Sequence, residues 1–333
     1  HNRAPSRLQP PLPNDMTPPK PSPCVAAAIA THRREAELQR LLAALGHSDL
    51  TLTGGIFVAD NASSPETRAV CQAGSGVAWL PRAVNNGPGP AWNTAAAKAL
   101  ENPGVTHILV LDDDVVLPAD ALRGLLDALV ASGAAAAAPL LFDENGRLWG
   151  FPEPLEVALR ATIRRTRTPK ECRQALGPTP HRFCWATGAC MLYTRQAFDT
   201  LGFFREDFWM LGEDLEFSMR AASTLGGVFT AAVEVPHLPP PAKTDASRTA
   251  HRLKFLALLQ NLSYLAFHSP HRGHLRSYLA GNFKRYVRTE GLASGTLWDG
   301  WSAFYEGAFA QQPAGTAAGI RLRERAARRL DEK

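Results

Sequence analysis

The sequence predicts an α/β fold, with a mostly parallel sheet flanked by helices and a helical C-terminal extension. Three observations lead to this prediction. Short, uncharged apolar runs alternate with segments whose leucines recur at helical spacing. Polar residues directly follow several of these runs, which is typical of the carboxyl ends of parallel strands. From about Ser247 onward the pattern is helical.

The predicted elements follow one another in the order expected for such a sheet, and some of the later strands are expected to be antiparallel. Turn-forming residues at 85–90 predict a loop, and a proline near the start favours a helix at 118–130. Strands are predicted at 25–30, 56–59, 77–80, 108–111, 140–142, 148–151, 189–193 and 228–235, and helices at 34–45, 91–100, 118–130 and 211–222.

Composition is that of an ordinary globular protein, with 333 residues, 45% hydrophobic and 20% charged. Proline-rich residues 1–23 predict a leader, residues 24–244 an α/β domain and residues 245–333 a helical region. No run of 18 apolar residues occurs, so no membrane-spanning helix is predicted. Five cysteines at no metal-finger spacing indicate free thiols in a reducing, cytoplasmic compartment.

The positive charge is concentrated in the C-terminal region. Residues 245–333 hold 14 lysines and arginines against seven acidic residues. This basic region could contact a membrane surface, an anionic acceptor or nucleic acid, or it could be a solvated helical face. Leucines and phenylalanines at 253–267 could rest on a membrane and reach a lipid-linked acceptor, or they could pack against the α/β domain.

The most informative feature is the acidic triplet Asp112, Asp113 and Asp114, which closes the apolar run 108–111. Three adjacent carboxylates repel one another unless a positive group lies among them. A divalent cation is the usual remedy, and Mg²⁺ and Mn²⁺ prefer oxygen ligands that they often share with substrate phosphates. Carboxylates that are splayed apart, facing bulk solvent or locked to arginines would argue against this interpretation.

Other polar side chains are predicted at the same sheet edge, where a nucleotide could bind. Asp60 could accept a hydrogen bond from a base N–H or a ribose hydroxyl, and Arg33 could offset phosphate charge. Each pattern alone is more typical of a turn, and their joint placement favours a site. The set comprises Thr31, Arg33, Asp60, Asn61, Asn86 and Asn93.

Two later residues could complete the chemistry. Asp214 lies at a predicted helix start, where a carboxylate either caps the helix or serves as a general base. The aromatic residues at 203–209 indicate a shielded pocket around it. His237 follows a strand and precedes a proline run; a lone histidine is usually an ordinary surface or core residue, but here it is a plausible metal ligand. Imidazole suits Mn²⁺ better than Mg²⁺.

Six segments that follow one another along the chain, taken together, resemble the family 2 glycosyltransferases with the GT-A fold. The resemblance covers about residues 24–265. The similarity is greatest to the galactofuranosyl- and rhamnosyltransferase branch. It implies a Rossmann-like mixed sheet and an inverting, metal-dependent transfer from a UDP- or dTDP-linked sugar to a hydroxyl of a glycan or lipid-linked acceptor. It also implies cell-envelope polysaccharide synthesis at the inner face of the membrane, with no nucleic-acid partner. The segments are residues 30–33, 58–63, 85–87 with 92–93, 111–114, 188–195 and 212–214.

The resemblance implies a role for each matching residue. Asp214 would be the catalytic base and Glu213 its neighbour on the acceptor side. Asp112, Asp114 and His237 would hold Mn²⁺ or Mg²⁺.

The resemblance also implies residues that contact the acceptor and the donor. Trp185 and Trp209 would stack on acceptor sugars, with packing as the equal alternative. Pro88 and Pro90 stand where the family usually has Gly or Ala, which would stiffen the donor loop. The implied donor residues are Thr31, Arg33, Asp60 and Asn61 for base and ribose, Asp113 for the donor, and Asn86, Trp92 and Asn93 for the pocket wall.

Three other functions could use some of the same residues. A glycoside hydrolase would use Asp114 and Asp214 as its carboxylate pair. A nucleotidyltransferase also needs carboxylates and a metal, but would usually show a glycine-rich phosphate loop, which is not visible between Cys24 and Arg40. A non-catalytic carbohydrate-binding protein on a degenerate transferase fold is the third.

Overall fold

The computed structural model describes residues 22–150, 152–163, 165–238, 245–269, 272–290 and 294–331. The predicted leader therefore lies almost wholly outside the described residues, as does Phe151. The described strands are β1 (Val25–Thr31), β2 (Gly55–Asp60), β3 (Val77–Pro81), β4 (His107–Asp112), β5 (Ala136–Phe142), β6 (Leu148–Gly150), β7 (Glu153–Pro154), β8 (His181–Trp185), β9 (Cys190–Thr194) and β10 (Gly227–Pro236). The described helices are α1 (Glu35–Gly46), α2 (Pro65–Ala73), α3 (Pro88–Leu100), α4 (Ala121–Ser132), α5 (Val157–Ile163), α6 (Pro169–Leu176), α7 (Arg195–Leu201), α8 (Glu213–Thr224), α9 (Asp245–His268), α10 (Arg272–Glu290), α11 (Ser294–Ala308) and α12 (Ala317–Asp331).

The strands form one mixed sheet in the order β3-β2-β1-β4-β9-β5-β10-β8-β7, with β6 paired to β5. The pairs β3-β2, β2-β1, β1-β4 and β5-β10 are parallel, and β9 lies antiparallel between β4 and β5. The prediction of a mostly parallel sheet with antiparallel strands in the later half is confirmed. Because β1 pairs with both β2 and β4, Thr31 aligns with Asp60, and Ala30 aligns with Asp112, at one edge of the sheet.

The central strands are buried on both faces, which explains their uncharged sequences. Along β1, alternate residues join different cores: Ala26, Ala28 and Ala30 face one, and Val25 and Ile29 face the other. The first core also includes α3, and the second includes α1 and α4. This double covering fixes the sheet, and therefore the position of its carboxyl edge.

Several boundaries differ from the predicted ones. The predicted loop 85–90 ends early, because α3 begins at Pro88 and carries Pro90 in its first turn. Proline is favoured there, since the first helical N–H groups have no partner within the helix. The strand β8 and the helices α2, α5, α6 and α7 were not predicted, because they are short and lack long apolar repeats.

The helices α9–α12 share a core with the α/β domain. Phe255, Leu256, Leu259 and Leu262 of α9 are buried together with Phe208 and other residues that precede or belong to α8. Of the two alternatives for the α9 leucines, the structure therefore supports packing against the α/β domain and not membrane contact, because most of these side chains are buried against protein. None of the helices in the described ranges combines the length and the apolar composition that a membrane span requires.

Candidate active site

Asp112, Asp114 and His237 come together at the carboxyl edge of the sheet. Their ligand atoms lie within 4.8 Å of one another, with His237 Nε2 3.1 Å from Asp114 Oδ1 and 4.0 Å from Asp112 Oδ2. His237 reaches this point because β10 runs parallel to β5 and then pairs with the segment after β4. The backbone N–H of His237 donates to Phe142 O, and His237 forms an antiparallel bridge with Val115.

The three residues fit a divalent cation. Asp114 Oδ1 and His237 Nδ1 are buried and have no hydrogen-bond partner among the described residues. A buried carboxylate oxygen without a donor is costly unless a cation balances it. One imidazole nitrogen and two carboxylates are a donor set for Mn²⁺ or a similar ion, so this group could hold a metal. The Trp149 ring packs on His237, with ring centroids 4.0 Å apart.

Burial shifts the protonation of these groups. It raises the pKa of Asp112 to about 7, helped by the negative charge of Asp114. It also raises the pKa of Asp113 to about 6, although Arg34 opposes the rise. The pKa of Asp114 is lowered: burial opposes this, but the adjacent His237 and Arg34 favour the carboxylate. Burial lowers the pKa of His237, but Asp114 and Asp112 outweigh this effect, so the pKa of His237 is raised.

A positive side chain does lie among the acids, and it is Arg34. Arg34 Nη1 donates to Asp113 Oδ1 at 3.0 Å and to Asp114 Oδ2 at 2.6 Å, and Thr31 Oγ1 donates to Asp113 Oδ2 at 2.7 Å. Arg34 and Thr31 together thus hold three of the six carboxylate oxygens of the triplet. The other three are both oxygens of Asp112 and Oδ1 of Asp114. Arg33, the arginine selected from the sequence, is exposed and has a positive φ of 53°.

Asp60 and Asn61 organise the neighbouring loops. Asp60 is fully buried, and its carboxylate accepts from the backbone N–H of Ala62 and Ser64, both at 2.8 Å, and from Trp79 Nε1 at 3.2 Å. Asn61 Nδ2 donates to Gly87 O at 3.1 Å.

Arg82, which sequence reasoning missed, joins these loops. Its guanidinium donates to Asn61 Oδ1 at 2.8 Å, to Asn86 Oδ1 at 2.6 Å and to Pro90 O at 2.7 Å. It also donates to Thr94 Oγ1. In the sequence, only the short span from the end of β3 to the start of α3 indicates that Arg82 lies near these loops.

Trp92 and Asn93 point into the protein. Trp92 is buried, and its Nε1 donates to Leu111 O at 3.0 Å, immediately before the acidic triplet. Asn93 exchanges hydrogen bonds with the backbone of Phe204, donating to its carbonyl at 2.9 Å and accepting from its N–H at 3.0 Å. Both side chains therefore have protein partners in this structure.

Asp214 lies at the start of α8, and three backbone N–H groups donate to its carboxylate. Gly188 N donates to Oδ2 at 2.7 Å, while Leu215 N and Gly212 N donate to Oδ1 at 2.8 and 3.3 Å. Desolvation raises the pKa of Asp214, and these hydrogen bonds oppose the rise. Ala189 O accepts from Asp112 N at 3.0 Å, so the backbone partners of Asp214 and Asp112 are the adjacent residues Gly188 and Ala189.

The segment before α8 is unusual and is supported from the C-terminal region. Met210, Leu211 and Gly212 all have positive φ. Asn261 of α9, which is fully buried, donates from Nδ2 to Leu211 O at 2.7 Å. Its Oδ1 accepts from Ala314 N at 2.8 Å. No pattern in the sequence indicates this role of α9.

Glu213 is buried against the first turn of α3. A Cβ on Gly89 would lie only 3.0 Å from Glu213 Cγ, so the two segments are in close contact. Burial, together with the charge of Asp214, raises the pKa of Glu213 well above its usual value, and its Oε2 has no partner among the described residues.

The two candidate acceptor tryptophans lie in contact with the C-terminal helices. Trp185 is buried and its ring centroid is 5.1 Å from that of Tyr278 on α10, while its Nε1 has no partner among the described residues. Arg323 of α12 lies over the ring of Trp209 at 4.0 Å.

This fold, with a metal-competent acidic edge on a mostly parallel sheet, defines a GT-A-type protein. Residues 27–202 match the model of glycosyl transferase family 2, and the chain belongs to that family.

The relatives are distant. An N-acetylglucosaminyl-diphospho-decaprenol L-rhamnosyltransferase of Mycobacterium tuberculosis is 28% identical over 183 residues, which cover 50% of this chain and 60% of the relative. S. aureus TarS 1-349 in complex with UDP-GlcNAc superposes with a TM-score of 0.56 at 16% identity, covering 92% of this chain and 90% of TarS. The mannosyltransferase PcManGT from Pyrobaculum calidifontis, in complex with GDP-Man and Mn2+, superposes with a TM-score of 0.52 at 15% identity. The superposition covers 94% of this chain and 88% of PcManGT. The expected GT-A fold and family are confirmed.

Proposed function

We propose that this chain is a metal-dependent, inverting glycosyltransferase that moves a sugar from a nucleotide-diphosphate donor to a hydroxyl of a glycan or glycolipid. The observation that supports it most is the placement of two acidic centres. Asp112, Asp114 and His237 form a metal-competent group, and Asp214 is linked to it through adjacent residues, because Gly188 donates to Asp214 and Ala189 accepts from Asp112. A donor diphosphate and an acceptor hydroxyl need such neighbouring but distinct partners.

In this mechanism Asp214 accepts the proton of the acceptor hydroxyl while that oxygen bonds to the anomeric carbon. The bond from the anomeric carbon to the diphosphate breaks in the same step, with inversion. Asp112, Asp114 and His237 would hold Mn²⁺ or Mg²⁺, which when bound offsets the negative charge of the leaving diphosphate. The three backbone N–H groups fix the orientation of Asp214, and desolvation raises its basicity.

The donor would lie along the edge between β1, β2 and α3. Arg34 would supply positive charge beside the diphosphate. The nucleotide of the donor would carry uridine or thymidine. The complex of TarS with UDP-GlcNAc supports a uridine donor, whereas that of PcManGT with GDP-Man shows that the fold also accepts guanosine. The donor residues would be Thr31, Arg33, Asp60, Asn61, Asn86, Trp92, Asn93 and Asp113.

The acceptor would approach from the side of Asp214 that faces the C-terminal helices. Glu213 would shape this side from beneath, and Trp185 and Trp209 would border it. The name of the mycobacterial relative, an enzyme acting on a diphospho-decaprenol-linked sugar, supports a lipid-linked acceptor.

Calorimetry of Mn²⁺ and of UDP- and dTDP-sugars against the purified chain tests the metal part of this proposal. Asp114→Asn should weaken both Mn²⁺ and donor binding by at least about tenfold, because it removes one ligand. The matched control is Asp120→Asn, since Asp120 is exposed, six residues further along, and makes no side-chain capping bond. Undiminished Mn²⁺ binding by Asp114→Asn would contradict the assignment.

A non-catalytic carbohydrate-binding role remains the second candidate, and the observation that favours it is the contact of Arg34 with the triplet. It predicts donor or glycan binding that is insensitive to chelators and no release of nucleotide with any acceptor. Chelator-sensitive release of nucleoside diphosphate from a nucleotide sugar excludes it.

A further inference from the structure

A row of exposed aromatic side chains runs along α11. Trp298, Trp301, Tyr305 and Phe309 follow one another at intervals of three or four residues, so they share one side of the helix and its C-terminal end. They are 57%, 52%, 51% and 57% exposed. At about 1.5 Å per residue, the row is about 16 Å long. Contiguous apolar surface of this kind usually marks an interaction site.

The opposite side of α11 is firmly packed, so the orientation of the row is fixed. Ala303 belongs to the core shared with α9. A Cβ on Gly300 would lie 2.7 Å from the Tyr286 ring, and one on Gly307 would lie 2.0 Å from Gln260 O. Glycine at these positions allows close approach of α11 to α9 and α10, which leaves the aromatic row directed outward.

Arginines of α12 flank the row. A groove of about 450 Å³ between α11 and α12 is lined by Trp298, Trp301 and Tyr305 on one side and by Arg321 and Arg325 on the other. Arg325 also lies 3.8 Å from the buried Asp299, and Glu306 is the acidic residue of the groove lining. The groove lining therefore carries two arginines and one acidic residue, so its formal charge is positive.

We propose that the surface formed by Trp298, Trp301, Tyr305, Phe309 and Arg321 rests on an anionic membrane surface. Tryptophan and tyrosine favour the headgroup region of a bilayer, where the ring is apolar and its N–H or O–H remains hydrated. Arginines beside them attract anionic lipids. This surface differs from the α9 leucines, which are packed inside the protein, and the inference does not depend on the proposed transferase activity.

Flotation of the full chain with vesicles tests the proposal without donor or metal. The chain should float with phosphatidylcholine vesicles that contain phosphatidylglycerol, much less with phosphatidylcholine alone, and less at high salt. Trp298→Ser combined with Trp301→Ser should lower the partition coefficient at least about tenfold. Arg321→Gln should lower it about fivefold. The matched controls are Arg40→Gln, at an exposed arginine of α1, and Val130→Ser, at a side chain that is 81% exposed on α4.

The outcomes separate this surface from other interpretations. Failure of the parent chain to float with anionic vesicles overturns the proposal. The proposal is also overturned if the control variants lose flotation as much as the tested variants do. A third contradicting result is a parent chain that is a dimer, together with a Trp298→Ser, Trp301→Ser variant that is a monomer but floats as well as the parent. Thermal melting checks that each variant is folded, and Tyr305→Ser provides an independent variant if the tryptophan pair melts early. A blue shift of tryptophan fluorescence on anionic vesicles, lost in the tryptophan pair, supports it.

Discussion

Replacement of Asp214 by asparagine separates its proposed chemical role from its structural one. The carboxylate offers two oxygens to three N–H groups, whereas asparagine has one carbonyl oxygen. With that oxygen at the Oδ1 position, the bonds from Leu215 and Gly212 persist, and Gly188 N faces an amide nitrogen. Losing one charge-assisted hydrogen bond costs about 1.5–3 kcal/mol, which corresponds to a decrease of about 2–4 °C in Tm for a chain of 333 residues.

Loss of the general base acts on turnover instead. A decrease of about 10²–10⁴-fold in kcat is expected, which is about 2.7–5.4 kcal/mol of activation free energy. Donor affinity, measured by calorimetry below the Tm of the variant, should change little. The control Asp199→Asn makes the same chemical change at an exposed site on α7 and should keep normal turnover. A folded Asp214→Asn enzyme with near-normal kcat would refute the assignment of Asp214 as the base.

Three further predictions concern the metal, the loop beside the base and the shared core. Because the pKa of Asp112 is raised to about 7 and that of His237 is also raised, both bind protons more readily than usual, and Mn²⁺ must displace these protons. Mn²⁺ affinity by calorimetry should therefore fall as pH decreases from about 8 to about 6, by up to about tenfold per pH unit per proton displaced; constant affinity over this range contradicts it. Gly188→Ala places a Cβ 2.7 Å from Asp214 Cβ and should lower kcat with little change in donor Kd; unchanged kcat in steady-state assays would contradict the close packing. Leu259→Ala should lower the free energy of unfolding in urea by about 2–5 kcal/mol, and a change below 1 kcal/mol would mean that α9 packs loosely.

The sheet and the metal group could be predicted because their signals are local. Strands β1 and β4 are short runs that are apolar on both faces, and parallel strands bring their carboxyl ends to one edge whatever the loops between them do. Asp112 and Asp114 therefore had to lie near that edge. His237 follows the same rule, since β10 is parallel to β5.

The arginine partners could not be predicted, because they depend on where helices begin. Arg33 and Arg34 are adjacent, and the positive φ of Arg33 precedes the start of α1, after which Arg34 reaches the triplet. Arg82 spans three loops whose approach depends on the packing of α3. For α9, a leucine-rich helix has the same pattern whether its partner is a membrane or a second domain.

The contact with Arg34 alters the interpretation of the acidic triplet without replacing the metal. Asp114 uses Oδ2 for Arg34 and Oδ1 for His237, so the arginine and the candidate metal position do not compete for one oxygen. Both oxygens of Asp113 accept hydrogen bonds, from Thr31 and Arg34, so Asp113 also holds this edge together. Three carboxylates and one guanidinium leave two negative charges if His237 is neutral, and a single dication balances them. Arg34 reaches only Oδ2 of Asp114, and the buried Oδ1 faces His237 Nε2. When His237 is neutral, the charge on Oδ1 is not compensated, and that residual charge is the physical reason to expect a bound cation here.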